Sequence, residues 1–364
     1  MTNTNLSNAR TAKNDEFYTQ FDDIEKEIKV YLEYNPNVFE GKTILCPCDD
    51  PYKSNFFKYF ALYFQELKLK KLITTYYVGS PFDNKEVSLF SPKIQEKKTT
   101  KNPHKIEITE IPDLNIDGVG NLSDVELLLE SDRNNLTRLK DDGDFRSDEI
   151  TKLRDEADMI VTNPPFSLFR EFLNWITEAN KEFLIIGNMN AITYKEVFHL
   201  IKENKMWLGA TIHSGDREFA VPDDYPLYAA GCRIDENGKK FIRVKGVRWF
   251  TNLEHGRRHQ PLTLKTMSKN LRYSYKSNGK ELYVKYDNYD AIEIPATDAI
   301  PSDYDGIMGV PISFLDKYCP EQFEILGKTN NKEHAKGFLI GNDPTAMING
   351  KKLYHRILIK HKKF

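Results

Sequence analysis

Apolar side chains recur along this chain with two alternating periods. Phe17, Phe21, Ile24, Ile28 and Tyr31 are spaced by three or four, which predicts a helix over residues 15–34 that ends near Pro36. The unbroken run Thr43-Ile44-Leu45-Cys46 predicts a buried strand. Residues 55–69 then read as a helix with Phe56, Phe57, Phe60, Tyr63, Phe64 and Leu67 on its core face, and residues 72–77 as the next strand. The alternation returns as strand 159–162, helix 168–178, strand 183–186, helix 194–203 and strand 206–211. Strands joined through helices by short connections predict an α/β fold with a mostly parallel sheet covered on both faces.

Two regions break this rhythm. Over residues 79–121, Pro81, Pro92, Pro103 and Pro112 punctuate a Lys-rich stretch with only short β-like pieces such as Lys105-Ile106-Glu107-Ile108, which predicts an insertion or mobile loop. From about Phe241 onward the pattern becomes short Val-, Phe- and Tyr-containing runs between turn residues. A smaller β-rich C-terminal domain is expected there, with residues 1–255 forming the main domain and 256–364 the second. No internal repeat is visible at periods of about 20–50 residues.

Composition narrows the class. The chain has 364 residues, room for about two domains, and its 22 Phe and 19 Tyr exclude a disordered or fibrous chain. No run approaches the ~18 apolar residues of a membrane span, and the first residues lack the apolar core of a signal peptide, so a cytoplasmic protein without membrane contact is expected. Cys46 and Cys48 are separated by one residue, too few for zinc-knuckle spacing, so reduced thiols and no metal site are expected.

The formal net charge of −2 conceals a strong asymmetry. Residues 110–158 hold 15 acidic and 6 basic side chains, whereas residues 239–286 hold 13 basic and 2 acidic ones. The basic stretch is interleaved with Phe241, Trp249, Phe250, Tyr273, Tyr275, Tyr283 and Tyr286, a composition suited to phosphate contact and base stacking, or to the solvated face of an ordinary sheet.

The segment richest in chemistry is Asp158-Met159-Ile160-Val161-Thr162-Asn163-Pro164-Pro165-Phe166. An apolar strand runs directly into Asn-Pro-Pro-Phe, which puts these residues at a strand's carboxyl end, where open α/β sheets bind ligands. Two prolines remove two N–H donors and leave a stiff turn rich in carbonyl acceptors. With the Asn163 amide oxygen beside it, the Pro164 carbonyl could accept both hydrogens of an exocyclic amine, while Phe166 stacks on the ring that carries the amine.

Asn163-Pro164-Pro165-Phe166 resembles the catalytic motif of S-adenosylmethionine-dependent amino-methyltransferases, and other strings narrow the likeness. Lys13 to Gln20, Cys46-Pro47-Cys48-Asp49-Asp50-Pro51, Gly143-Asp144-Phe145-Arg146, Trp249-Phe250-Thr251-Asn252-Leu253 and Tyr286-Asp287-Asn288-Tyr289-Asp290 are similar to segments of the EcoRI-type adenine-N6 DNA methyltransferases. The resemblance covers nearly the whole chain. It implies a Rossmann-like S-adenosylmethionine-binding sheet with a smaller C-terminal β-rich target-recognition domain. It further implies methyl transfer to a flipped-out adenine in double-stranded DNA, in a restriction–modification or phage-defence context, by a prokaryotic or phage-encoded protein that acts as a monomer and is functionally paired with a restriction endonuclease.

The resemblance also implies roles for single residues. Asn163, Pro164, Pro165 and Phe166 would serve catalysis. Phe17, Tyr18, Thr19, Cys46, Pro47, Asp49, Asp144 and Phe145 would hold the cofactor, with Asp144 on its adenine amine and Phe145 against the ring. Arg248, His255, Arg257 and Arg258, with His259, would meet DNA. Two departures stand out: the turn after the first strand lacks the usual glycines, and Thr75-Tyr76-Tyr77-Val78 offers no acid for the ribose hydroxyls. They leave open a DNA-binding module without turnover. RNA or protein-glutamine methylation is open too, since Asn-Pro-Pro-aromatic also serves those reactions.

Overall fold

A computed structural model describes residues 19–50, 54–76, 103–111, 124, 127, 137–213, 216–221, 231–273 and 281–362. In chain order its first elements are α1 (Phe21–Tyr34), β1 (Thr43–Cys46), α2 (Asn55–Leu62), β2 (Lys71–Tyr76), β3 (His104–Ile108), β4 (Thr137–Arg138), α3 (Asp148–Glu156), β5 (Met159–Thr162), α4 (Phe169–Glu178) and β6 (Glu182–Asn188). There follow α5 (Lys195–Lys202), β7 (Trp207–Leu208), β8 (Asp216–Val221), β9 (Arg233–Ile234), β10 (Lys240–Lys245), β11 (Val247–Thr251) and α6 (Met267–Tyr273). The chain ends through β12 (Ile292–Glu293), β13 (Met308–Pro311), β14 (Phe323–Lys328), β15 (Met347–Ile348), β16 (Lys351–Lys352) and β17 (Arg356–His361). Among the described residues no helix is long and apolar enough to cross a membrane.

The chain divides into two compact units, Met1–Ala191 with Ser214–Leu253, and Ile192–His213 with Glu254–Phe364. Residues 192–213 group with the C-terminal segment, and the last break falls between Leu253 and Glu254, beside the boundary expected at residue 255. The Phe198 ring of α5 lies 4.9 Å from that of His334, and Lys328 Nζ donates to the Thr193 carbonyl.

In the first unit a large mixed sheet runs β4-β3-β2-β1-β5-β6-β11. β2, β1, β5 and β6 are mutually parallel, as helix-connected apolar runs require. β3 and β11 are antiparallel to their neighbours, so the sheet is mixed rather than mostly parallel. Within residues 79–121, expected to be an insertion or mobile loop, the short β-like piece at Lys105–Ile108 lies in the strand β3. Residues 104–108 pair with β2 from Leu72↔Ile108 to Tyr76↔His104, with Ile106 and Ile108 buried. The rest of that stretch, apart from residues 103 and 109–111, lies outside the described residues.

α1 buries Ile24, Ile28 and Tyr31, and its buried Glu27 accepts a 2.7 Å hydrogen bond from the Tyr31 hydroxyl. α2 is capped by Ser54 and ends at Leu62, short of the expected residue 69. Lys68 adopts a left-handed conformation at φ 51°, which turns the chain into β2 instead. A single residue, Gly246 at φ 70°, turns the chain from β10 into β11, which lies in a different sheet. β8, β10 and β9 form a separate antiparallel sheet, so residues 240–245 of the basic stretch belong to the first unit. In the second unit the sheet order is β12-β13-β17-β14, over a core that includes Tyr286, Tyr289, Ala335, Ala346 and Leu358.

Candidate active site

β1 and β5 are adjacent and parallel, with Ile44 against Met159 and Leu45 against Ile160. β2 flanks β1 on the other side in the same direction. All three strands therefore deliver their carboxyl ends to one edge of the sheet. The turn after β1 and the Asn-Pro-Pro-Phe segment after β5 are neighbours there, at the edge where such sheets bind ligands.

Asp49 joins the two. Its carboxylate is buried and accepts hydrogen bonds from Ser54 Oγ at 2.6 Å on Oδ1 and from Thr162 Oγ1 on Oδ2. Burial pushes the Asp49 carboxyl up to about 6, against the downward pull of the two hydroxyl donors. The backbone of the turn is held in the same way from β2: Thr74 Oγ1 donates to the carbonyls of Cys46 and Asp49, and Thr75 Oγ1 to that of Pro47 at 2.9 Å. Threonine hydroxyls thus fix a turn that has no glycine. The Cys46 thiol is fully buried, and burial pushes it well above the usual thiol range, so it packs rather than reacts.

The same contacts reach the N-terminal segment. Ser54 accepts from the backbone of Phe56 and Phe57, and the next residue, Asn55, donates 2.7 Å to the carbonyl of Thr19. Thr19 is buried, and its hydroxyl has no hydrogen-bond partner among the described residues. Phe17 and Tyr18 lie outside the described residues.

Asn163 and Pro164 are buried at the end of β5, while Pro165 and Phe166 are half-buried. The prolines end the sheet ladder, and Phe166 opens a single 3₁₀ turn, Phe166–Leu168, that passes directly into α4. α4 in turn anchors the Asp-Phe segment. Phe145 is buried with its ring 5.0 Å from Phe172 and 5.7 Å from Trp175. Asp144 Oδ1 accepts from the Arg146 backbone at 2.9 Å and from Arg146 Nε at 2.8 Å, and Oδ2 from Nη2 at 2.5 Å. Arg146 also reaches Glu171 of α4 at 3.2 Å. The guanidinium holds the Asp144 carboxyl below the ordinary carboxylate range.

The four expected DNA-contacting residues have different surroundings. Arg248 is buried in β11, with Nη1 donating 2.7 Å to the Val247 carbonyl. In the second unit, His255 is buried with Nε2 3.2 Å from the Leu208 carbonyl, and burial lowers its imidazole to about 4, so it is neutral at physiological pH. Arg258 is buried with its guanidinium 3.7 Å from the Trp207 ring and a 3.3 Å contact to Glu254. Arg257 is exposed and donates 2.7 Å to the Ala210 carbonyl. His259 bridges Glu254 and Glu321 at 2.9 Å each, and those two carboxylates outweigh its partial desolvation and raise its affinity for a proton.

Sequence reasoning missed Ser54, Thr162 and Arg146. Thr162 immediately precedes Asn163, and Arg146 follows Asp144 by two residues, but nothing local says which carboxylate either will meet.

The family described as "Adenine-specific methyltransferase EcoRI" matches residues 5–362. The chain belongs to this family. It is 44% identical over 363 residues to the type II methyltransferase M.EcoRI of Escherichia coli, covering 100% of this chain and 98% of that protein. It is 35% identical to the type II methyltransferase M.MgeORF184P of Mycoplasma genitalium and 34% to M.MpnI of Mycoplasma pneumoniae, each over 98% of both chains. No solved structure matches the chain.

The strings that first resembled EcoRI-type methyltransferases do structural work within each unit. Asn252 bridges backbone at Phe183 and Lys181. Asp287 accepts from the backbone N–H groups of Asn349 and Gly350, and Asn288 donates to the carbonyls of Asp343 and Thr345. The Tyr-Asp-Asn-Tyr-Asp string thus pins the loop that carries β15.

Proposed function

We propose that this chain is a site-specific DNA adenine-N6 methyltransferase using S-adenosylmethionine, in a restriction–modification or phage-defence setting beside a cognate endonuclease. The observation that carries this reading is the meeting of Asn163-Pro164-Pro165-Phe166 with the turn after β1 at one sheet edge, in a chain of the EcoRI adenine-specific methyltransferase family.

The residues present fit that cofactor. The Thr19 hydroxyl is a buried polar atom without a hydrogen-bond partner among the described residues, available to the methionine end. An ionised carboxylate has about four lone-pair sites, and Arg146 takes three on Asp144, leaving one for an adenine amine. Bound, S-adenosylmethionine supplies an already activated methyl group on a sulfonium.

The chain's own part is then to bind and orient. The Asn163 amide oxygen and the Pro164 carbonyl accept both hydrogens of the target amine, favour a pyramidal nitrogen and direct its lone pair along the transfer line. No strong general base is needed, because the amine proton becomes acidic as the bond forms and leaves to solvent. An adenine in duplex DNA must leave the stack at a cost of a few kcal/mol, and stacking on Phe166 offsets about 1–3 kcal/mol of it.

We assign sequence reading to the second unit. Lys265, Lys269 and Arg272 are exposed there with Arg257, available to phosphate. His255 and Arg258 are buried against Leu208 and Trp207, and Arg248 within β11, so phosphate contact is assigned to the exposed cations instead.

The test is tritium transfer from labelled cofactor with duplex DNA, RNA and protein as parallel acceptors, followed by identification of the modified base. N6-methyladenine in DNA is the expected product. Label in RNA or glutamine would move the substrate class, and tight DNA binding with no incorporation would leave a binding module.

A further inference from the structure

We infer that Asp49 is a positioning residue whose carboxylate, through the Thr162 hydroxyl, fixes the carboxyl end of β5 and thereby the orientation of Asn163. The inference rests on the methyl-transfer reading above and adds a residue pair to it.

The argument begins with cost. A carboxylate removed from water is unfavourable unless its oxygens are satisfied, and Asp49 is satisfied by two neutral hydroxyls, Ser54 on one oxygen and Thr162 on the other. A side chain needed only to fill this space could be apolar. What the carboxylate adds is direction. Its two oxygens are fixed at opposite sides, one by the residue that caps α2 and one by the last residue of β5. Asp49 itself cannot drift, because its backbone carbonyl is held by Thr74 of β2. The chain of contacts is Thr19 to Asn55, adjacent Ser54 to Asp49, and Asp49 to Thr162, the residue before Asn163.

Asn163 must present its amide oxygen within a few tenths of an ångström of a line set by the donor methyl group. It follows a four-residue strand and precedes two prolines, so its backbone can shift only as a rigid piece pivoting at Thr162. A hydroxyl–carboxylate bond at that pivot fixes the rotation. The same net ties the turn after β1, which has no glycine, to the catalytic strand.

The decisive variants are Thr162→Val, isosteric but without the hydroxyl, and Thr162→Ser, which keeps it. The clamp predicts that Thr162→Val lowers kcat about tenfold or more while the cofactor Kd moves less than about threefold, and that Thr162→Ser recovers most of the rate. Asp49→Asn should lower kcat as well, and adding Thr162→Val to it should lower kcat little further, because both act on one link. Thermal unfolding of each variant separates these effects from loss of fold. Wild-type kcat in Thr162→Val beside an active wild type overturns the clamp alone, as does a parallel loss of cofactor affinity. Wild type that transfers no methyl group overturns the functional reading, and the clamp with it.

Discussion

Arg146 lies across Asp144, donating from its backbone, Nε and Nη2 to both carboxylate oxygens while also reaching Glu171. The residue proposed to hold the cofactor adenine is therefore already oriented. Asp144→Ala should weaken cofactor binding about tenfold or more, the loss of one hydrogen bond to a charged group. In Arg146→Ala the Asp144 carboxyl moves back toward its ordinary range. The wild-type carboxylate, held low, keeps its charge as pH falls, so the variant should lose cofactor affinity at a higher pH than wild type does. Calorimetric titration across the acid range checks this, and superimposable pH profiles would count against it.

Asn163→Ala should leave cofactor affinity within about threefold and reduce turnover on DNA by about a hundredfold or more, since its amide oxygen acts on the target amine. Single-turnover methyl transfer and cofactor titration on one preparation measure both. Equal losses in the two would assign Asn163 to the cofactor instead.

Asp49 makes stability depend on pH with a definite sign. Its carboxyl is raised to about 6 in the fold from an ordinary 3.8, so the folded chain retains a proton that the unfolded chain gives up. Stability is fully present below the lower value, falls as pH rises through the window, and is lower by about 3 kcal/mol above it. Asp49→Asn should remove this slope between acid and neutral pH in thermal or urea unfolding. A variant with the same slope as wild type would place the titration elsewhere.

Gly187 on β6 permits close packing beside the site. A Cβ there would lie 2.4 Å from Phe169 Cε2, in the helix that continues from Phe166. Gly187→Ala should therefore destabilise the fold by about 1–3 kcal/mol through overpacking, read as a lower urea midpoint. An unchanged midpoint would mean that α4 can yield.

Lys265→Ala and Lys269→Ala remove exposed cations from the second unit. Each should weaken binding to all DNA sequences alike and reduce the salt dependence, log K against log salt, by about one unit per lost phosphate contact. A change confined to one DNA sequence would instead mark a base-reading contact.

β5 was legible residue for residue, because an unbroken apolar run leading into Asn-Pro-Pro admits few alternatives. β3 was legible only as a short β-like piece at Lys105-Ile106-Glu107-Ile108, because its place in the sheet comes from pairing with β2, distant in sequence. α2 was read too long because its aromatic periodicity continues past Leu62, while the left-handed Lys68 that reverses the chain is invisible to periodicity. At the site, motifs nominate Asn163 and Asp144 through their neighbours in sequence. The bond from Thr162 to Asp49 spans 113 positions and has no local signature. Arg258 read as a surface cation because its sequence neighbours are polar, whereas the Trp207 ring covers its guanidinium.

The three tryptophans of the chain stand in three distinct environments. Trp249 is fully buried in β11, and its indole N–H has no hydrogen-bond partner among the described residues, so it should emit furthest to the blue. Trp175 touches Phe145 in the Asp-Phe segment and donates to Thr151, whereas Trp207 lies beneath the Arg258 guanidinium in the second unit. A cofactor docking at Asp144 and a polyanion meeting the basic cluster would perturb different indoles, so the two binding events can be followed separately by fluorescence without attaching a dye.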